Sequence, residues 1–140
     1  MLILSLTEGG IRTVLYLTLS GHDRWVPGDE ICRTQEIPPT FLAKITGPLL
    51  KRGILSAVRG VGGGFRLGRP PEAISLLEVI ETLQGPLHFN ECLIGPGACE
   101  RDDHCPVHAV WKQIKEGTER ILAMWTFYDL ASQARSQKPG

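Results

Sequence analysis

Between Arg59 and Phe65 the chain places glycine at four of five consecutive positions, Gly60-Val61-Gly62-Gly63-Gly64. Glycine reaches turn conformations that other residues avoid, so this run reads as the tip of something that folds back on itself. The flanking segments, Ile54 to Arg59 and Phe65 to Arg69, have the length and residue types of short strands. The segment is therefore predicted to be a two-stranded hairpin with a pliable tip. What lies before it decides what the hairpin belongs to.

Ile11, Val14, Leu15 and Leu19 recur at helical spacing after Thr7 and Glu8, and Gly21 supplies a stop, which predicts a first helix of about four turns. A second short helix is expected from near Pro27 to Thr34, with Asp29 and Glu30 in its first turn and Ile31 and Cys32 facing inward. Gln35-Glu36-Ile37-Pro38 reads as a turn. Pro39 then opens a third helix with Phe41, Leu42, Ile45, Leu49 and Leu50 as its apolar stripe, closed by Lys51-Arg52-Gly53. Gly47-Pro48 inside it is expected to kink it, because proline removes a hydrogen bond. Helix, helix, turn, helix, hairpin is the order of a winged helix-turn-helix, a mainly α fold with a small β component.

Downstream, Ser75-Leu76-Leu77-Glu78 matches a capping box, and Leu76, Val79, Ile80 and Leu83 form the stripe of a fourth helix ending at Gly85. From Pro86 to Cys105 no periodicity survives, which marks a loop of a length reserved for function or disorder. A single long helix is expected from Pro106 to about Gln133, with Val107, Val110, Trp111, Ile114, Ile121, Leu122 and Trp125 along one face. That stripe exceeds what a small domain can cover, so it is expected to meet a second copy in a homodimer. With 140 residues the chain has room for one globular unit and an extension. The expected division is 1–85 for DNA binding, 86–105 for the loop, 106–134 for the dimerisation helix and 135–140 for a disordered tail.

Net charge is zero overall, yet unevenly distributed. From Arg33 to Arg69 seven cations face the single acid Glu36, a net of +6, whereas Pro70 to Asp103 carries −6. Local charge sets the field a ligand meets, so the basic third is the candidate for phosphate contact. In a helix-turn-helix, residues near the start of the second motif helix reach base edges while flanking cations hold phosphates. Here those are Thr40, Ala43 and Lys44, with Lys51 and Arg52 behind them, and Arg59 and Arg66 on the hairpin. Arg59 stands where the tip begins and suits a narrow minor groove, whose negative potential attracts arginine. Double-stranded DNA is thus the expected partner. Neither an export signal nor a membrane-length apolar stretch is visible, which makes the cytoplasm the expected compartment.

In a reducing compartment clustered cysteines bind metal or sense redox state more often than they form disulfides. Cys92, Cys99, Cys105 and His108 follow C-x(6)-C-x(5)-C-x(2)-H, directly before the last helix. Thiolates suit iron-sulfur clusters or zinc. Zinc sites favour two close C-x(2-4)-C pairs, which this pattern lacks, so the spacing favours a cluster; structural zinc and unligated reactive cysteines are the alternatives. His104 ranks below His108 as a ligand. Cys32, between Ile31 and Arg33, reads as a small core residue. No dinucleotide, P-loop or metalloprotease pattern is present, and an enzyme is not expected.

Three segments carry a resemblance: Ile37 to Ile45, Arg59 to Leu67, and Cys105-Pro106-Val107-His108-Ala109-Val110-Trp111. Together they resemble the Rrf2 family of bacterial transcription regulators, in its iron-sulfur branch, over nearly the whole chain. The resemblance implies a homodimer with crossing long helices, and recognition helices and wings gripping a palindromic operator. It also implies a cluster whose loss or oxidation, in response to redox state, iron or nitric oxide, changes DNA affinity. Cys92, Cys99 and Cys105 match the family's cluster ligands. His108 matches the fourth ligand of members with a 2Fe-2S cluster, and Glu8 falls where 4Fe-4S members place a carboxylate reaching from the partner subunit. His108 is favoured because it is local to Cys105, and with it the 2Fe-2S form. Arg59 matches the minor-groove arginine and Thr40 a hydroxyl-bearing base contact. Ala43 stands where other members read bases with glutamate, which implies a different operator.

Overall fold

The structure, a computed structural model, describes residues 3–88 and 106–137. Helix α1, Ser5–Ser20, buries Val14 and Leu17 and ends at Gly21, whose φ of 86° reverses the chain. Two of its buried threonines close on the helix itself: Thr13 Oγ1 donates to the Gly9 carbonyl at 2.8 Å and Thr18 Oγ1 to that of Val14 at 2.7 Å. Such back-bonding lets hydroxyls go into a core without water. Helix α2, Gly28–Gln35, buries Ile31, and helix α3, Pro39–Lys51, buries Leu42, Ile45, Thr46 and Leu49. Within α3 the chain stays helical through Pro48 as one element. The apolar stripe expected there holds except at Phe41, which is 42% exposed.

Strands β1, Leu55–Val58, and β2, Gly64–Leu67, pair antiparallel with Leu55 opposite Leu67 and Val58 opposite Gly64. The wing is pinned to the body by Val26, which exchanges two 2.8 Å backbone hydrogen bonds with Phe65. Gly64 makes that approach possible. At its φ of 151°, a Cβ would stand 2.2 Å from the Val26 carbonyl oxygen. After a 3-10 turn at Pro71–Ala73, helix α4, Leu76–Gln84, starts with the serine half of the expected capping box, Ser75 Oγ accepting the Glu78 N–H at 3.1 Å, while the Glu78 carboxylate is engaged by Arg69.

The carboxy-terminal part differs from the single helix expected. Helix α5, Pro106–Met124, stops, and helix α6, Phe127–Gln137, begins after a break at Trp125 and Thr126. Two causes converge on that break. Thr126 and Asp129 cap the new helix reciprocally: the Asp129 carboxylate accepts from the Thr126 N–H at 3.1 Å, and Thr126 Oγ1 accepts from the Asp129 N–H at 3.2 Å. The backbone also turns aside to pair with the α4 entrance, where Leu76 N–H donates to the Trp125 carbonyl at 2.8 Å and Phe127 N–H to that of Ile74 at 3.0 Å. Helix α6 then packs on α1 and buries Phe127 and Ala131. Phe127 shares one core with Val14, Leu17, Ile31, Ile45, Leu49, Ile54, Ile74 and Val79. The core of the winged unit therefore does not stop at Gly85, and Arg135 to Gln137, assigned to a disordered tail from the sequence, are helical.

Candidate nucleic-acid interface

A helix-turn-helix works only if its turn fixes the angle between the two helices, and here the turn is built from three residues. Glu36 takes the left-handed conformation at φ 54° and ψ 47°, ending α2, and the Ile37 N–H donates back to the Cys32 carbonyl at 3.0 Å. Pro38 contributes the carbonyl that accepts the Phe41 and Leu42 N–H groups at 2.9 and 3.1 Å, and Pro39 takes the first helical position, where no N–H is needed. From the other side a polar network ties α1 to α2. Glu30 accepts from the Tyr16 hydroxyl and from both terminal nitrogens of Arg24, the Nη1 contact measuring 3.1 Å. The Arg24 guanidinium first, then the Tyr16 hydroxyl, hold the Glu30 carboxyl down at about 2.

With its buried stripe turned inward, α3 presents Thr40, Ala43 and Lys44 to solvent on its amino-terminal half. The Lys44 ammonium lies 5.6 Å from the centre of the exposed Phe41 ring, so the cation rests on an aromatic face while remaining available to a phosphate. Lys51 and Arg52 are exposed at the carboxy-terminal end, where cations also complement the helix dipole. Arg59 is exposed at the mouth of the wing tip. The tip closes through Gly63 N–H donating to the Gly60 carbonyl at 3.0 Å, and Val61 stands fully in solvent at its apex. Thr40, Ala43, Lys44 and Arg59 thus form an exposed set on the helix and wing.

Arg66 behaves differently from its neighbours. Its guanidinium stacks 3.9 Å from the centre of the Trp25 ring and donates to the His22 carbonyl at 3.3 Å, which ties β2 to the loop after α1. Arg69 is likewise occupied, bonding Glu78 Oε2 at 2.9 Å and the Ala73 carbonyl at 3.1 Å. Sequence reasoning missed the Trp25 platform. The available signal was the short Trp25-Val26 extended run before Pro27, which supplies both the stacking ring and the pairing partner of Phe65.

Of the proposed cluster ligands, Cys92, Cys99 and Cys105 lie outside the described residues, as does His104. His108 is the third residue of α5 and half-buried, and Glu8 is exposed in the first turn of α1. Among the described residues no three His, Cys, Asp or Glu side chains converge as a metal site. Cys32 is a free thiol packed against the core, as its sequence context suggested. Also among the described residues, no helix is long and apolar enough to cross a membrane.

The model of the Rrf2 family, described as iron-dependent transcriptional regulator, matches residues 3–133. A chain of Aquifex aeolicus named as an HTH-type transcriptional regulator is 35% identical over 117 residues, covering 82% of this chain and 81% of its own. The transcriptional regulator IscR of Klebsiella pneumoniae is 31% identical over 122 residues, covering 87% and 74% respectively. Among solved structures, CymR of B. subtilis, the global cysteine regulator, superposes with a TM-score of 0.78 at 25% identity, over 95% of this chain and 98% of that one. T. potens IscR shares the fold with a TM-score of 0.81 at 23% identity, over 100% and 93%.

Proposed function

The chain belongs to the Rrf2 family of transcriptional regulators, and on that premise we propose that it is a cytoplasmic homodimer whose grip on a palindromic operator is set by an iron-sulfur cluster. The observation that carries the DNA reading is the exposed amino-terminal face of α3, with Thr40, Ala43 and Lys44, beside a glycine-tipped wing bearing Arg59. Thr40 and Ala43 meet base edges, Lys44, Lys51 and Arg52 meet phosphates, and Arg59 enters a minor groove. Arg66 contributes chiefly by holding the wing against Trp25, and it meets phosphate with N–H groups that the His22 carbonyl does not take. Dimerisation is supported by α5, a helix of 19 residues that buries none of its own side chains within the protomer. Val110, Ile114, Ile121 and Met124 are 53%, 40%, 59% and 70% exposed there. An amphipathic helix left so open needs a partner.

For the sensor, three thiolates and an imidazole form a donor set that fits an iron-sulfur cluster, with Cys92, Cys99, Cys105 and His108 as ligands and a 2Fe-2S form favoured. Glu8 is the alternative fourth ligand, with a 4Fe-4S form. When bound, the cluster supplies a redox-active, labile group whose state is readable as a change in the chain around it. His108 stands on α5, and α5 packs against α4, which belongs to the DNA-binding unit. A ligand on α5 is therefore one helix contact from that unit. A second reading, a cluster-free regulator sensing through reactive cysteines or structural zinc, draws support from the likeness to CymR.

The test is selection of operators from a random DNA library by the anaerobically purified protein, with iron and sulfide analysis of the same sample. A palindromic consensus and stoichiometric iron and sulfide are expected. Enrichment of no sequence would remove the DNA reading, and a colourless protein with stoichiometric zinc would replace the cluster by the second reading.

A further inference from the structure

A half-open hollow of about 160 Å³ lies between the amino-terminal half of α1 and the turn that opens α3. Neither DNA contact nor cluster ligation uses it. Leu6, Ile37, Phe41 and Ile45 make its walls apolar. Gly9 adds no side chain to them, and a Cβ there would stand 2.9 Å from Ile45 Cδ1. A space of this volume accepts a group of about benzene size. It is too small for the ligands of drug-sized sites, which occupy roughly 300–1,000 Å³.

Two opposite charges stand at the edge of this space. Arg12 of α1 and Glu36 of the turn are both exposed, and neither has an ion-pair partner among the described residues. Glu36 is also, among the described residues, the one non-glycine residue in the left-handed region. Glycine or asparagine would take that conformation with less strain, and strain retained at one position is a pointer to use of the side chain it carries. The Phe41 ring, 42% exposed, lacks full cover from the protein itself.

An apolar cavity of one-side-chain size with a cation and an anion at its rim complements a zwitterion with an apolar tail. We propose that it binds a free L-α-amino acid with an apolar side chain. The carboxylate meets the Arg12 guanidinium, the ammonium meets the Glu36 carboxylate, and the side chain lies against Leu6, Ile37, Phe41 and Ile45. The bound molecule bridges α1 to the first turn of α3, whose outer face carries Thr40, Ala43 and Lys44, so occupancy biases the pose of the recognition helix. That coupling rests on the DNA reading above. Binding itself does not.

Calorimetric titration of the full chain with L-leucine, L-methionine and L-phenylalanine, followed by N-acetyl-L-leucine, L-leucinamide and isovalerate, separates the two. Saturable binding of at least one of the three amino acids is expected, with each single-charge analogue at least about tenfold weaker, close to 1.4 kcal/mol. Arg12→Gln and Glu36→Gln should each weaken binding at least about tenfold while leaving the thermal midpoint near that of the parent, since both side chains are exposed. No binding at concentrations up to about 10 mM, full affinity in both variants, or isovalerate binding as tightly as leucine would overturn the site. If binding holds but operator affinity is the same with and without the amino acid, the site stands and the coupling to DNA is overturned.

Discussion

Phe127→Ala distinguishes the two roles that the broken carboxy-terminal helix assigns to its halves. Phe127 is fully buried and, among the described residues, is the largest of the fully buried side chains; it lies in the core cluster of its own protomer, on a helix that packs against α1 and the 3-10 turn. Truncation removes its transfer free energy and leaves a cavity that the surrounding aliphatic side chains fill only in part, which costs about 3–5 kcal/mol. Total stability for a chain of this size is of the order of 5–15 kcal/mol, so the loss takes about a fifth of it or more. Ile121, on α5, is 59% exposed within the protomer. Ile121→Ala should therefore change unfolding of the isolated protomer by less than about 1 kcal/mol and act instead on association. Urea unfolding followed by circular dichroism, at protein concentrations spanning two decades, reads both. For Phe127→Ala the midpoint should drop by a similar free energy at every concentration, with little change in m. For Ile121→Ala the drop should be confined to the concentration-dependent part, as mass action requires. A Phe127→Ala cost under about 1 kcal/mol, or one that disappears at high protein concentration, would refute the placement of α6 in the winged core and restore one continuous dimerisation helix.

Arg59→Ala should weaken operator binding by about 1–3 kcal/mol and lower the salt slope by about one, with fold and cluster content unchanged; fluorescence anisotropy at three salt concentrations measures both. For the fourth ligand, His108→Ala should alter the Mössbauer and resonance Raman spectra of the reconstituted protein and Glu8→Ala should not; the reverse pattern would assign Glu8 and a 4Fe-4S cluster. Glu30, held at about 2 against an ordinary value of 4.5, contributes stability that is present above pH 4.5 and lost as pH falls through 2. Glu30→Gln should thus cost up to about 1 kcal/mol at neutral pH, the partners being partly solvated, and the gap to the parent should close between pH 4.5 and 2 in acid-dependent thermal melts.

The first four helices and the hairpin were legible because each carries its own boundary chemistry within a few residues. Gly21 and Gly85 stop α1 and α4, Ser75 caps α4, Pro39 opens α3, and the glycine run turns the wing. The exposed set followed from that order: a helix whose Leu42, Ile45 and Leu49 point inward must show Thr40, Ala43 and Lys44 outward, and Arg59 stands where the glycine tip begins. The division of the last helix was not read, although Thr126-Phe127-Tyr128-Asp129 has the spacing of a cap. Trp125 carries the apolar stripe up to the break, and local periodicity cannot say whether Phe127, two residues on, faces a partner or its own core. Pairing of Trp125 and Phe127 with the backbone at Ile74 and Leu76 decided that, between segments far apart in the chain. The same holds for Arg66, one more cation in a basic stretch by sequence and a stacked, hydrogen-bonded wing anchor once Trp25 and the His22 carbonyl are brought beside it. Sequence by itself determined what depends on near neighbours: helix periods, caps, turns and local charge. Which apolar face is covered and which cation is already engaged were decided by tertiary structure, because burial and pairing are properties of surfaces that meet only after the chain has closed on itself.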